Sequence, residues 1–343
     1  MKYVYDYTYI ELKKKLALDD FPKFRIQQIL DGLYKSKALN FKTITTLSKD
    51  IKSKLLEKYV MFSLKAVKIE SSKFDKTTKF LFSLEDGNVI EAVAIPNSKK
   101  QFTLCISSQV GCSLHCAFCA SGHFGFTRNL APHEIVEQIL YIKKQNFDVT
   151  NIVFMGIGEP LLNYDNVLQA IEILNDKNLV NLGSRRITIS TSGIIDKILD
   201  LAHTPFQIKL SVSLHFPDEK LRNKYMPVNK SYPLKDLIQT LEEYQKITNK
   251  IITFEYILFK NINDNLQIAD DMRKLLAPLN YKINLIPYNE IEGYPFKQTS
   301  KDKIKKFYYH LKKKGVNVTL RQEHGQDINA ACGQLRLKAL NQS

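Results

Sequence analysis

No apolar run in this sequence reaches the roughly 18 residues that a membrane-spanning helix needs, and the start Met1-Lys2-Tyr3-Val4 has acids close behind it instead of a secretion leader. No membrane partner is therefore expected, and the chain is expected in the cytoplasm. Cysteine is scarce as well. Five in 343 residues are too few for a disulfide framework, and clustered cytosolic cysteines more often bind metal or take part in catalysis. Acids are outnumbered, 35 Asp and Glu against 50 Lys and Arg, which leaves a formal net charge of +15. Such a surface suits a polyanionic partner, because basic side chains supply most of the affinity for phosphate backbones, although a lysine-rich solvated face has the same composition. What the chain does have is length, enough for a barrel-sized domain with a smaller appendage.

Three of the five cysteines fall in Cys112-Ser113-Leu114-His115-Cys116-Ala117-Phe118-Cys119. Thiolates bind soft metals and iron–sulfur clusters, and four are the usual complement of a closed site. Three leave a metal position open, as a catalytic centre requires when the metal must touch a substrate. The competing reading is a zinc site completed by His115 or His123. The run follows an apparent strand at 102–108 and precedes Gly122-His123-Phe124-Gly125-Phe126.

Apolar spacing over residues 1–62 is helical, with stripes at Ile26, Ile29, Leu30, Leu33 and at Ile44, Leu47, Ile51, Leu55, the latter capped by Ser48. Lys23, Arg25, Lys35, Lys37, Lys42, Lys49, Lys52 and Lys54 stand among aromatics as an RNA-docking surface would have them, although exposed helix faces look similar. Residues 63–100 change to period two. Val67, Ile69, Phe80, Phe82, Leu84, Val89, Val93 and Ile95 alternate around the turn signal Glu85-Asp86-Gly87-Asn88, predicting a short bridging antiparallel sheet. Glu91 shares a face with Val89, Val93 and Ile95. If that face is covered, the carboxyl is desolvated toward a useful base; otherwise it is a solvated Glu.

Residues 101–343 alternate strands (102–108, 150–155, 187–192, 207–215, 251–259, 282–288) with helices (132–145, 165–174, 194–202, 233–247, 265–277), then a helix at 300–314 and a strand at 316–321. That pattern predicts an α/β fold of successive βα units with parallel strands. Thr103, Cys105 and Ser107, then Thr188, Ser190 and Ser192, then Ser211, Ser213 and His215 share one face of their strands, opposite apolar faces. A closed barrel fills its interior with bulky apolar side chains, so a polar interior predicts an open partial (βα)6 barrel around a polar ligand.

A cysteine trio after the first βα strand, with Phe118 before the last thiol, and Gly158-Glu159 after the next strand, resembles the radical S-adenosylmethionine (SAM) enzymes. The resemblance narrows at Thr103-Leu104-Cys105-Ile106-Ser107-Ser108-Gln109-Val110-Gly111-Cys112, Gly158-Glu159-Pro160-Leu161-Leu162-Asn163-Tyr164, Ser213-Leu214-His215, Asn284-Leu285-Ile286-Pro287-Tyr288-Asn289 and Asp327-Ile328-Asn329-Ala330-Ala331-Cys332-Gly333-Gln334-Leu335. These are similar to the RlmN/Cfr family of radical SAM RNA methyl synthases, from about residue 20 to 340.

The resemblance implies a 4Fe–4S cluster on Cys112, Cys116 and Cys119, and SAM contacts from Gly158, Glu159, Ser190, Ser213, Leu214, His215 and Asn289. It implies Glu91 as proton acceptor, Cys332 as the S-methylcysteine carrier, and Cys105 as the thiol that releases product by a transient disulfide with Cys332. Without it Cys332 would pass for a small buried hydrophobe, whereas Cys105 is singled out by its place on the polar face beside the cysteine loop. The implied reaction uses two SAM molecules to methylate carbon 2 of an adenine in 23S rRNA and in tRNA beside the anticodon. The implied partners are those RNAs and an electron donor such as a flavodoxin system, with the chain a monomer. Carbon 8 methylation and a non-catalytic zinc-containing RNA-binding protein are the alternatives. The loop Asn97 to Gln101 is slightly longer than in that family.

Overall fold

Helical stripes open the chain as expected. α1 (Tyr9–Leu18) starts at a capping box: the Thr8 hydroxyl accepts from the Glu11 amide, and the Glu11 carboxylate accepts from the Thr8 amide. α2 (Lys23–Tyr34) buries Ile26, Ile29, Leu30 and Leu33. The second expected stripe is divided. α3 (Lys49–Lys58) begins after Ser48, whose side chain makes no capping bond, and Ile44 and Leu47 are buried from the preceding loop. A Cβ on Gly32 would stand 2.6 Å from Ile44 Cγ2, so Ile44 seats in a notch on α2 before the chain turns into α3.

The computed structural model describes residues 2–97, 101–123, 125–322, 324–330 and 333–335. Within them ten strands form one sheet whose spatial order is the order of the sequence. β1 (Lys65–Ser71), β2 (Thr78–Ser83), β3 (Val89–Pro96) and β4 (Phe102–Cys105) are antiparallel neighbours. From β4 onward every pairing is parallel, through β5 (Val149–Phe154), β6 (Ile187–Thr191), β7 (Lys209–Ser213), β8 (Ile252–Leu258), β9 (Tyr281–Pro287) and β10 (Val318–Leu320). The connections carry α4 (Pro132–Lys144), α5 (Tyr164–Asn175), α6 (Ile195–Ala202), α7 (Glu219–Tyr225), α8 (Leu234–Thr248), α9 (Leu266–Leu275) and α10 (Lys301–Lys313). This is the expected α/β arrangement, a mostly parallel sheet with helices in its crossover connections, as in a partial barrel. The apolar strand residues Leu104, Ile189, Leu210 and Val212 are at most 1% exposed in the main core.

The antiparallel strands expected over residues 63–100 form, and they continue the barrel sheet past β4. Val67 and Ile69, however, remain 42% and 50% exposed. β1 is the edge strand, and its register with β2 slips between Ala66 and Lys68; Ile69 pairs with the buried Phe80 but has no strand on its other side to cover it.

The N-terminal helices are fastened to α4. Tyr3 stacks on the His133 ring at 3.9 Å, and Asp6 accepts from the His133 amide at 3.0 Å. Lys144 Nζ donates to the Leu33 and Ser36 carbonyls at 2.9 and 2.7 Å. No helix among the described residues is long and apolar enough to cross a membrane.

Candidate active site

The carboxyl ends of the parallel strands open into a cavity of about 1010 Å³, part of it solvent, lined on one side by Cys112, Cys116 and Cys119. The loop that carries them is pinned at several backbone points. Cys112 N donates to Gly125 O at 2.8 Å, Ala117 N to Tyr225 O at 2.9 Å and Ala120 N to Gly333 O at 2.9 Å. Gly111 adopts φ +77°, and a Cβ there would lie 1.9 Å from the Gly125 carbonyl oxygen, so only glycine fits. Burial pushes the Cys112 thiol up to about 12 and Cys116 well above its ordinary value. These thiols ionise only when a cation shares the site, the behaviour of metal or cluster ligands.

The histidines of the competing zinc reading are engaged elsewhere. His115 Nδ1 lies 2.9 Å from Gly122 O; the His123 ring packs on Tyr294 at 4.5 Å. Among the described residues, no group of three or more His, Cys, Asp and Glu side chains could hold one metal ion. Three thiols on one cavity wall, with His115 bonded to Gly122 and His123 packed on Tyr294, are a donor set that would suit a 4Fe–4S cluster.

Opposite the thiols stands the turn after β5. Gly158 adopts φ +107°, and a Cβ on it would meet Gln109 Cβ at 2.6 Å; one on Gly156 would meet the Ile106 carbonyl at 2.6 Å. The glycines therefore serve first to let the chain pass close to the extension of β4. Glu159 is 3% exposed, and its carboxylate accepts from the Leu161 amide at 3.2 Å and the Ser192 amide at 2.8 Å. Burial outweighs those bonds and pushes its carboxyl up to about 7.

Ser190, Ser213 and His215 complete the wall. His215 has φ +53°, and burial, reinforced by Arg222, pulls its pKa down to about 3. Its Nδ1 accepts from the Ile257 amide at 3.2 Å, so the proton of the neutral ring sits on Nε2. Leu214 is not brought to the cavity: its side chain lies in the core, its amide donates to Glu255 O, and its carbonyl accepts from Arg222. Asn289 follows the cavity residue Tyr288, is 6% exposed, and accepts from Gln326 Nε2 at 3.3 Å.

Glu91 and Cys105 lie on the adjacent strands β3 and β4; neither lines the cavity, and Cys105 approaches it through the lining residue Leu335. Glu91 is buried, 5% exposed, with Lys79 Nζ 3.7 Å from Oε1, so it is not the solvated Glu. Cys105 packs with Val93, Ile157, Ala330 and Leu335 in a small cluster separate from the main core. Cys332 lies outside the described residues, but the residues flanking it reach both places: Ala330 and Leu335 touch the Cys105 cluster, and Gly333 accepts from the cysteine loop.

Two groups at the site escaped the sequence reading. Glu255 lines the cavity, held by Ser211 Oγ at 2.9 Å and Asn284 Nδ2 at 2.8 Å. Its alternation with Thr253 and Ile257 on β8 was the available signal. Arg222 on α7 is fully buried; Nη1 donates to Ser213 O at 2.9 Å, Nη2 to Ser192 O at 2.7 Å and Nε to Asn229 Oδ1 at 3.0 Å. Nothing in its local sequence marks it.

Comparison with known proteins identifies the family of the chain. The radical SAM superfamily profile matches residues 106–272. The chain is similar to the probable dual-specificity RNA methyltransferases RlmN of Thermosipho melanesiensis, 43% identical with 99% of this chain and 100% of that one covered. It is likewise similar to that of Petrotoga mobilis, 44% identical with 100% and 99% covered. A radical SAM methyltransferase of known crystal structure from Sphaerobacter thermophilus superposes with a TM-score of 0.95, at 38% identity over 98% of this chain and 100% of that one.

Proposed function

The chain belongs to the RlmN family of radical SAM RNA methyltransferases, and from that premise we propose that it methylates carbon 2 of an adenine in 23S rRNA and in tRNA next to the anticodon. The observation that supports this reading best is the placement of Cys105, buried beside the cysteine-lined cavity and packed against the residues that flank Cys332. Cys112, Cys116 and Cys119 would hold a 4Fe–4S cluster, which with bound SAM would supply a 5′-deoxyadenosyl radical.

The chain's own residues do the rest. Glu159 accepts hydrogen bonds from the SAM amino group beside Gly158. His215 offers its Nε2 proton to the cavity, and Ser190, Ser213 and Asn289 supply further contacts, with Leu214 contributing through its place in the same turn. An aromatic C–H carbon is too poor a nucleophile to attack a sulfonium, so a carrier thiol is needed, and a thiolate is the side chain most readily alkylated. Cys332 takes the methyl group by displacement. Once the S-methyl group has lost a hydrogen atom to the radical and its carbon has joined the adenine, the Cys105 thiolate attacks the Cys332 sulfur and the sulfur–carbon bond breaks. Glu91 accepts the ring proton, the freed methylene takes up a proton to become the methyl group, and the one electron left over passes from the new disulfide to a one-electron acceptor. Residues 1–62 dock the RNA through exposed Lys23, Lys35, Lys42, Lys49 and Lys54, residues 63–100 connect, and residues 101–343 carry the chemistry.

Cys105→Ala tests the route. With no thiol to attack Cys332, protein and RNA are expected to stay covalently joined, giving a crosslinked species on denaturing gels that the Cys105→Ala, Cys332→Ala double variant lacks. Normal turnover without a crosslink would rule out this mechanism.

A further inference from the structure

Phe74, in the turn between β1 and β2, is 86% exposed. Single exposed apolar residues are ordinary on protein surfaces, so exposure alone assigns nothing. The turn around it is another matter. The Ser72 amide donates to Thr77 O at 2.7 Å, Ser72 Oγ accepts from the Phe74 amide at 3.1 Å, and Asp75 Oδ1 accepts from the Thr77 amide at 2.9 Å. Lys76 completes it with φ +63°. The aromatic ring is thus presented on a fixed turn between two exposed lysines, Lys73 and Lys76.

The turn is also fastened to the segment leading to Cys332. The Lys73 amide donates to Asp327 Oδ2 at 3.0 Å, and Asp75 Oδ2 receives the Gly325 amide at 3.0 Å and lies 3.0 Å from His324 Nδ1. Lys79 Nζ donates to Ile328 O at 2.7 Å. Beyond Cys332, Gly333 and Leu335 are held by Ala120 and Ser121 of the cysteine loop. The Phe74 turn is therefore hydrogen-bonded to the segment that leads to Cys332, and residues just beyond Cys332 are hydrogen-bonded to the cysteine loop on the cavity wall.

We propose that Phe74 is a stacking platform for a nucleobase adjacent to the target adenine, with Lys73 and Lys76 on the flanking phosphates. The proposal rests on the RNA methyltransferase reading above. An exposed ring on a fixed turn suits this role, because any base has a stackable face and little ordering cost remains to be met on binding.

The test uses the full chain with its cluster, SAM and a tRNA transcript. Phe74→Ala is expected to raise KM for the RNA about tenfold, within the range for losing one base–aromatic stack. The rate at saturating RNA and SAM cleavage without RNA should not change, and Phe74→Tyr should restore KM. A transcript with 2-aminopurine next to the target adenine should be quenched by the wild type and much less by Phe74→Ala. Lys73→Ala and Lys76→Ala should each lower the salt dependence of binding by about one phosphate contact. Wild-type KM and quenching in Phe74→Ala, or failure of Tyr to restore them, would overturn the platform. An effect confined to protein-containing ribosomal particles would overturn it too, assigning Phe74 to a protein partner. If the wild type methylates no RNA, the functional reading itself falls; if it does and Phe74→Ala matches it, only the platform falls.

Discussion

Glu137 on α4 makes the stability of this chain depend on pH in a direction opposite to the usual carboxylate. It is fully buried; Oε2 accepts from the Ser63 amide at 2.8 Å, the Ser63 hydroxyl at 2.9 Å and the Leu64 amide at 2.8 Å, while Oε1 is buried without a partner. Burial outweighs those bonds and pushes the carboxyl from its ordinary 4.5 up to about 7. Because the folded value lies above the unfolded one, the folded state holds the proton more tightly. The contribution is fully present below about pH 4.5 and is lost as pH rises through about 7. At roughly 1.36 kcal/mol per pKa unit this amounts to about 3 kcal/mol across the window.

His133 acts in the same direction. Burial pulls its pKa down, but the bond to Asp6 and the Glu137 charge carry it above its ordinary value, so its contribution is also lost as pH rises. Glu137→Gln keeps one acceptor oxygen but does not titrate, and it removes the Glu137 share of the His133 effect. Urea unfolding of both proteins, followed by circular dichroism from pH 5 to pH 8, is the assay. The wild type should lose about 2.5 kcal/mol more than the variant over that range. Parallel pH curves would refute the reasoning.

Gly158→Ala places a Cβ 2.6 Å from Gln109 Cβ and at a φ of +107°, and should cost about 1–3 kcal/mol in thermal unfolding while weakening SAM binding by calorimetry. Wild-type stability would show that Gln109 yields freely. Cys112→Ala, Cys116→Ala or Cys119→Ala should each leave the cluster underligated, with iron and sulfide content reduced and SAM cleavage abolished. A full cluster in any of the three would refute that ligand set.

Period and spacing carried most of the fold because the parallel strands are apolar on the face the helices cover and polar on the other. Leu104 with Cys105, and Val212 with Ser213, already separate core from cavity. The misread parts are those where a tertiary contact overrides local pattern. Ile44 leaves its helical stripe for the notch at Gly32, and Val67 and Ile69 stay exposed because their strand is the uncovered edge of the sheet. The cysteines, Gly158, Glu159, Ser190, Ser213 and His215 were legible because their spacing sits at strand ends, and the structure brings them to one cavity. Arg222 was not legible. Its burial follows from the Ser192 and Ser213 carbonyls, which approach it only when β6 and β7 stand side by side.

The most direct measurement is nucleoside mass spectrometry with chromatographic standards. The chain is reconstituted with iron and sulfide, then incubated with SAM, a reductant, and a 23S rRNA fragment or tRNA. A 2-methyladenosine peak from both RNAs, absent with Cys332→Ala, is the expected result. 8-Methyladenosine would contradict the assigned carbon, and tight zinc binding with neither SAM cleavage nor a methylated nucleoside would contradict the enzyme.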